Sequence, residues 1–360
     1  MKILLVRLRL IGDVVFTTPA IRALRRRFPD ARISYIVEKS AAPVVRGNPH
    51  LDEIIVVSDP HEPGRLRRDL ALVRRLRRER YDLAIDFHGG PRSSLLAWAS
   101  GAPKRIGFEV TGRSWMYTTR VPRPRVLRPR HSVETQWDLL VPLGIAPPNM
   151  EDDPTEMVLD PVAAASVDRR LAEAGVGPEH AIVVIHVSAG NPFRRWPAES
   201  FVDLVVRLAS SDRHRRIILT SGPSDATAAA HVAGEARARL AATHRAAVLQ
   251  CGEFDLAELR ALIGRSAVYI GGDSGPLHIA GTTPTPVVGL YGPTLPVRSE
   301  PWRPASMIKH AAEAGPLPCR PCDQRRCEPG DFRCLGGISA EKVADLAERA
   351  LESRPVTRER

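Results

Sequence analysis

The segment Tyr269-Ile270-Gly271-Gly272-Asp273-Ser274-Gly275-Pro276-Leu277-His278 carries the densest set of groups able to do chemistry. An apolar run ends in glycines, which let the main chain approach a ligand closely. Asp and Ser follow, and Pro276 stands where the first helical residue belongs, so free N–H groups of a new helix face outward. That arrangement suits a diphosphate. The plainer alternative is a strand–helix turn in which Asp273 or Ser274 caps the helix; the added polar groups and His278 favour binding. A second turn, Gly289-Leu290-Tyr291-Gly292-Pro293-Thr294, also follows an apolar run. Gly292 and Thr294 either touch a base or phosphate there or simply form a turn.

Other polar residues stand at the ends of apolar runs. Asp13, in Arg9-Leu10-Ile11-Gly12-Asp13-Val14, is a general-base candidate or a helix cap; the absence of G-x-G-x-x-G argues against a dinucleotide there. After His186-Val187-Ser188-Ala189-Gly190, Arg194 and Arg195 can neutralise a phosphate leaving group or stand as solvated loop charges. Asp225, in Gly222-Pro223-Ser224-Asp225, can hold ribose or sugar hydroxyls or cap a helix. Arg65 to Arg80 reads as a basic amphipathic helix with Leu66, Leu70, Val73 and Leu76 inward. Its arginine face either meets an anionic acceptor or membrane, or is solvated. Arginines among prolines from Arg120 to Arg130, with Arg120, Arg123 and Arg125 foremost, are a better acceptor candidate because they cannot form a regular helix face. Cys319, Cys322, Cys327 and Cys334 are spaced C-x2-C-x4-C-x6-C, which can hold a structural zinc or remain as thiols; the spacing is not that of a ferredoxin.

These residues need rigid elements to position them. Lys2–Leu8, Ile33–Val37, Ile54–Val57 and Leu83–Phe87 read as buried parallel strands, alternating with amphipathic helices such as the one carrying Ile21, Leu24 and Phe28. The pattern weakens at 121–130 and at 147–154, where a linker is expected. A second series follows, with strands at Ile182–Val187, Ile217–Thr220, Val268–Gly271 and Val287–Tyr291. Helices are marked by Phe201, Leu204, Val205 and Leu208, and by Leu256, Leu259 and Leu262. The expected fold is α/β, two Rossmann-like doubly wound domains facing a cleft. The boundaries are 1–155, 156–338 and a last segment, 339–360, whose helix can pack back on the first domain.

Composition narrows the classes. With 360 residues, 43% hydrophobic and 26% charged, the chain is an ordinary globular protein of two-domain length. No apolar run approaches the roughly 20 residues that span a bilayer. Arg7, Arg9 and Asp13 interrupt any leader-like stretch, so a cytoplasmic protein is expected. The net charge of +11 implies an anionic partner, or reflects an arginine-rich proteome. A nucleic-acid binder would need stacking aromatics, yet these make up only 5%, and no recognition motif is present.

Taken together, Arg7 to Asp13 with Pro19, His186 to Pro197, Gly222 to Asp225, Asp273 to His278 and Pro286 to Thr294 resemble glycosyltransferase family 9, the lipopolysaccharide heptosyltransferases, over nearly the whole chain. The cysteine array followed by Ile338-Ser339 and a helix is most similar to the heptosyltransferase II type. The resemblance implies a GT-B fold and an ADP-heptose donor. It also implies inversion at the anomeric carbon without a metal or cofactor, and an anionic lipopolysaccharide-core acceptor, with peripheral contact at the inner membrane. Residues 1–155 would take the acceptor and 156–338 the donor. By matching position Asp13 is the base, Arg194 replaces a lysine beside the phosphates and Asp225 replaces a glutamate at the ribose. Ser274, Gly275, Pro276 and Leu277 hold the diphosphate, Asp273 orients the sugar and His278 supports it. The Arg and Asp departures conserve charge but place it differently, which leaves the sugar open. Competing readings are a nucleotide-sugar epimerase of the same fold, a family-9 transferase with another sugar or acceptor, a non-catalytic binding module and a nucleic-acid binder.

Overall fold

The computed structural model describes residues 1–58, 63–123, 129–187 and 191–353. The chain forms two compact units, Met1–Val158 and Leu159–Arg360. In the first, β1 (Lys2–Val6), β2 (Arg32–Glu38), β3 (Glu53–Val57), β4 (Leu83–Asp86), β5 (Lys104–Phe108) and β6 (Thr119–Val121) make one parallel sheet in the order 3-2-1-4-5-6. In the second, β7 (Ala181–His186), β8 (Arg215–Thr220), β9 (Val248–Leu249), β10 (Val268–Gly272), β11 (Val287–Leu290) and β12 (Lys309–Ala312) repeat the plan in the order 12-11-10-7-8-9.

The sequence pattern explains these sheets. Central strands are near-continuous runs of β-branched and leucine residues, as strands covered on both faces must be. Ile3, Leu4, Leu5 and Val6 are all fully buried, as are Val183, Val184 and Ile185. Each such side chain contributes about 1.5–3 kcal/mol of burial. Ile3 stands opposite Ile33 on one side and Leu83 on the other, so β1 sits at the centre. Val268 pairs with Val183 and Gly271 with His186, which puts β7 and β10 at the centre of the second sheet.

In both sheets the strand order reverses beside the first strand. That places a switch point at the carboxyl ends of β1 and β4, and another at those of β7 and β10. Open α/β sheets bind ligands at such points, because the connections leave in opposite directions there and open a crevice.

One sequence-based expectation is corrected, and two further segments are placed. On the helix Arg65–Glu79 the buried stripe runs through Leu72 and Leu76, whereas Leu66 and Leu70 point outward. The C-terminal helix Ala340–Glu352, which the sequence left able to pack back on the first domain, places Val343, Ala344, Ala347 and Ala350 in the second unit's core beside Leu208 and Val288. Ser339 caps it by accepting from the Lys342 amide, and the Trp196 indole donates to the Ile338 carbonyl at 2.9 Å. The residues at 149–153, within the stretch read as the linker or its start, form turns within the first unit, with Arg26 paired to Asp153.

Candidate active site

At the second unit's switch point β10 ends in Gly271 and Gly272 and leads into the short helix Gly275–Ala280. Its two terminal glycines serve packing as well as any ligand. A Cβ on Gly271 would lie 2.6 Å from the Tyr269 hydroxyl, and one on Gly272 would lie 3.3 Å from the Arg194 carbonyl. Neither Asp273 nor Ser274 caps the helix. Ser274 occupies the N-cap position, but its hydroxyl donates to the Gly272 carbonyl at 3.2 Å. Asp273 is buried, and its carboxylate gathers three elements. Arg194 Nη1 approaches it at 3.1 Å, the Thr294 hydroxyl donates to it, and His278 Nε2 stands 3.6 Å away. Arg194 Nη1 also donates to the Asp273 carbonyl at 2.9 Å.

The helix start does less than its sequence suggests. Pro276 has no N–H, and the Leu277 amide donates to the Ser274 carbonyl at 3.0 Å. Among the described residues this leaves the Ser274 and Gly275 amides as the available donors. The Leu277 side chain is fully buried and belongs to the core. Gly292 likewise faces protein: a Cβ there would meet Leu335 Cγ at 2.5 Å. Ser188, Ala189 and Gly190 lie outside the described residues.

The cysteine segment supplies a residue that sequence reasoning missed. Gln324 Oε1 accepts from Arg194 Nε at 2.8 Å and from Asn191 Nδ2 at 2.6 Å. Arg320 donates to the Thr294 carbonyl at 2.9 Å and pairs with Glu313, while the Cys322 amide donates to the Pro293 carbonyl. The segment thus braces both the Gly292–Thr294 turn and the Arg194 loop. All four of its cysteines are free and half-buried, and among the described residues no three metal-type side chains converge as a ligand set. Burial raises the Cys334 thiol; Arg320 opposes this, and the nearby thiols of Cys322, Cys319 and Cys327 reinforce it.

His186, at the end of β7, shares a hydrogen bond of 3.0 Å with Thr220 Oγ1. Burial holds its imidazole down at about 4, with Asp225 pulling the other way, so it is neutral at physiological pH. Asp225 precedes the helix Ala226–Arg239 without capping it. Its carboxylate instead accepts from Ser224 Oγ at 3.0 Å and meets Arg195 Nη2 at 3.2 Å.

At the first unit's switch point Asp13 sits in the first turn of the helix Ile11–Val15, whose N-cap position is Leu10; the capping alternative is excluded. The Asp13 carboxylate pairs with Arg7, a buried arginine that leaves the end of β1. Arg7 Nη1 donates to the Phe87 carbonyl at 2.6 Å, tying Asp13 to the loop after β4. Asp86 shapes that loop from within. It accepts from the His88 and Gly89 amides at 2.9 and 3.0 Å, from Ser93 Oγ at 3.0 Å and from the Tyr117 hydroxyl at 2.6 Å. His88 is held down at about 4, by burial first and then by Arg7.

Of the expected acceptor arginines, Arg123 reaches this loop: its guanidinium lies over the Phe108 ring at 5.3 Å and within contact of the Gly89 position. Arg113, which the sequence did not single out, donates to the Gly89 carbonyl at 3.3 Å. Arg120 is exposed on β6, the edge strand, and Arg125 lies outside the described residues. Arg7 lay within the Arg7–Asp13 anchor, but His88 and Arg113 had no motif to announce them; they meet because β1, β4 and β5 stand side by side.

Comparison with known proteins adds an independent line. The family model described as glycosyltransferase family 9 (heptosyltransferase) matches residues 69–329. Lipopolysaccharide heptosyltransferase 3 of Escherichia coli is 28% identical over 326 residues, covering 88% of this chain and 91% of that protein. Among solved structures, a family 9 glycosyl transferase from Veillonella parvula superposes with a TM-score of 0.82 at 24% identity, covering 98% of both chains. The E. coli ADP-heptose lipopolysaccharide heptosyltransferase II gives 0.73 at 20% identity, covering 98% of this chain and 99% of that one.

Proposed function

Because this chain belongs to glycosyltransferase family 9, the heptosyltransferases, and is a glycosyltransferase of the GT-B fold, we propose that it moves a heptose from ADP-heptose onto the lipopolysaccharide inner core, on an acceptor of the lipid A/Kdo type. In this reading the first unit takes the acceptor and the second the donor. The enzyme works at the cytoplasmic side of the inner membrane as a peripheral protein and needs no metal or other cofactor.

The chemistry follows from the residues. Asp13 accepts the proton of the acceptor hydroxyl as that oxygen attacks the anomeric carbon. The bond from that carbon to the diphosphate breaks, its electron pair leaves on the phosphate oxygen, and configuration inverts. Negative charge then grows on the departing ADP, where Arg194 and the Ser274 and Gly275 amides stabilise it. A cation held by Asp273 and Gln324 is already oriented, so little reorganisation is needed as charge develops. Thr294 fixes Asp273, which orients the sugar; His278 backs it, and Asp225 holds the ribose. Arg123 and Arg120 meet acceptor phosphate or carboxylate groups. The observation that carries the reading is the buried Asp273 carboxylate shared by Arg194 and Thr294, at the switch point of a nucleotide-type sheet.

The test pairs ADP-heptose with heptose-deficient core lipopolysaccharide and reads products by mass spectrometry. One added heptose and one released ADP are expected. A rearranged nucleotide sugar formed from donor alone would point to an epimerase and sink the transfer scheme. A thermal-shift series should favour ADP-sugars over UDP- and GDP-sugars, by about 2.7 kcal/mol of stabilisation at a hundredfold excess over Kd.

A further inference from the structure

An apolar strip lies on the outside of the first unit's helical layer. Leu66 and Leu70, one turn apart on the helix Arg65–Glu79, are 74% and 60% exposed. On the helix Pro91–Ala99, Leu95 and Trp98 turn outward at 47% and 37%; Trp115, 56% exposed, meets Trp98 edge to face at 5.6 Å. The two helices run side by side. Arg92 Nη2 meets Asp69 Oδ1 at 2.7 Å near one end, and Arg77 Nε donates to the Ala99 carbonyl at 3.1 Å near the other. Their outward sides therefore share one surface.

Single exposed leucines are normal in a soluble protein, but five large apolar side chains gathered on one layer are not. The charge around them is one-sided. Arg67, Arg74 and Arg78 are exposed on the leucine-bearing helix, while Asp69 is neutralised by Arg92 and Glu79 by Lys2. A protein interface depletes charge at its apolar centre. Here arginines interleave with leucine and tryptophan, the composition of a surface lying at the headgroup–acyl boundary of an anionic bilayer. The chain's net charge of +11 adds long-range attraction of the same sign.

We propose that Leu66, Leu70, Leu95, Trp98 and Trp115 form the surface by which this chain docks on an anionic lipid bilayer. The inference deepens the function proposed above, in which the acceptor is an anionic glycolipid, and rests on it for the choice of a bilayer. The full chain would be sedimented with phosphatidylcholine vesicles, with and without phosphatidylglycerol, beside the double variants Leu66→Ser/Leu70→Ser and Trp98→Ser/Trp115→Ser. Their melting temperatures would be matched first.

The wild type should bind the anionic vesicles roughly tenfold more strongly than the neutral ones, and less so in high salt. Each variant should lose about tenfold of that binding while transfer to a water-soluble fragment of the acceptor continues at the wild-type rate. Variants that sediment like the wild type, or a wild type left in solution with both vesicles, would overturn the proposal. So would a strip whose loss abolishes self-association and leaves vesicle binding intact. Failure of the wild type on the soluble fragment would count against the transfer reaction and leave the vesicle result standing.

Discussion

Acidification should weaken the second unit in good part through His186. Burial at the end of β7 holds its folded-state value at about 4, against 6.5 for the free imidazole. The unfolded chain therefore takes up a proton that the folded chain refuses. Stability from this group is complete above about pH 6.5, falls as the pH drops from there towards 4, and changes no further below that. Between about pH 7.5 and about pH 4.5 the linkage amounts to about 2–3 kcal/mol, a large share of a domain's net stability. His186→Asn keeps a polar partner for Thr220 and cannot titrate. Guanidinium unfolding of both proteins at the two pH values isolates the effect, because the other imidazoles lowered by burial, His50, His88 and His310, are present in each. The wild type should lose about 2–3 kcal/mol more than the variant on acidification. An equal pH-dependent loss in both would show that burial does not suppress protonation of His186, and the account of this site would fail.

Other consequences follow. Asp13→Asn should cut transfer by about a hundredfold or more in single-turnover assays while ADP-sugar affinity, measured by calorimetry, stays within about twofold. Arg7→Lys keeps the charge but cannot both pair with Asp13 and reach the Phe87 carbonyl; kcat should fall while donor affinity holds. Thr294→Val leaves the buried Asp273 carboxylate short of a donor, and should cost about 1–3 kcal/mol in denaturant unfolding along with weaker ADP-sugar binding. Gly292→Ala drives a methyl into Leu335 and should destabilise the chain by about 1–3 kcal/mol without contacting any ligand.

The two units place their chemistry at equivalent points. In each, a polar side chain leaving the first central strand meets residues from the strand beside it. Arg7 reaches the Phe87 carbonyl after β4, and Arg194, in the loop after β7, reaches Asp273 after β10. In each, an arginine is held against the carboxylate proposed to act. The arginine partly screens that carboxylate and fixes its orientation, which is how a charged group stays in place at the mouth of a sheet.

Periodicity and apolar runs were enough to read two doubly wound sheets from the amino acids, because a central parallel strand has no way to be buried except as a continuous apolar segment. They were not enough for β5, β6, β9 and β12. The first begins Lys104-Arg105, the last begins Lys309-His310, and the other two span three residues or fewer; their strand character comes from pairing with a neighbour already in place. Asp273, Arg194 and Thr294 were legible as candidates by residue type at strand ends. That Thr294 and Arg194 share one carboxylate, and that Gln324 joins them from the cysteine segment, depends on folding distances that no local pattern encodes. The same holds for Leu66 and Leu70. Helical spacing put them on the apolar stripe, but which part of a stripe is covered depends on the neighbouring helix. Pro91–Ala99 packs against the Arg65–Glu79 helix through Asp69 and Arg77, and leaves those two leucines in the open. Residue chemistry and period are local properties; who stands beside whom is settled only when the sheet assembles.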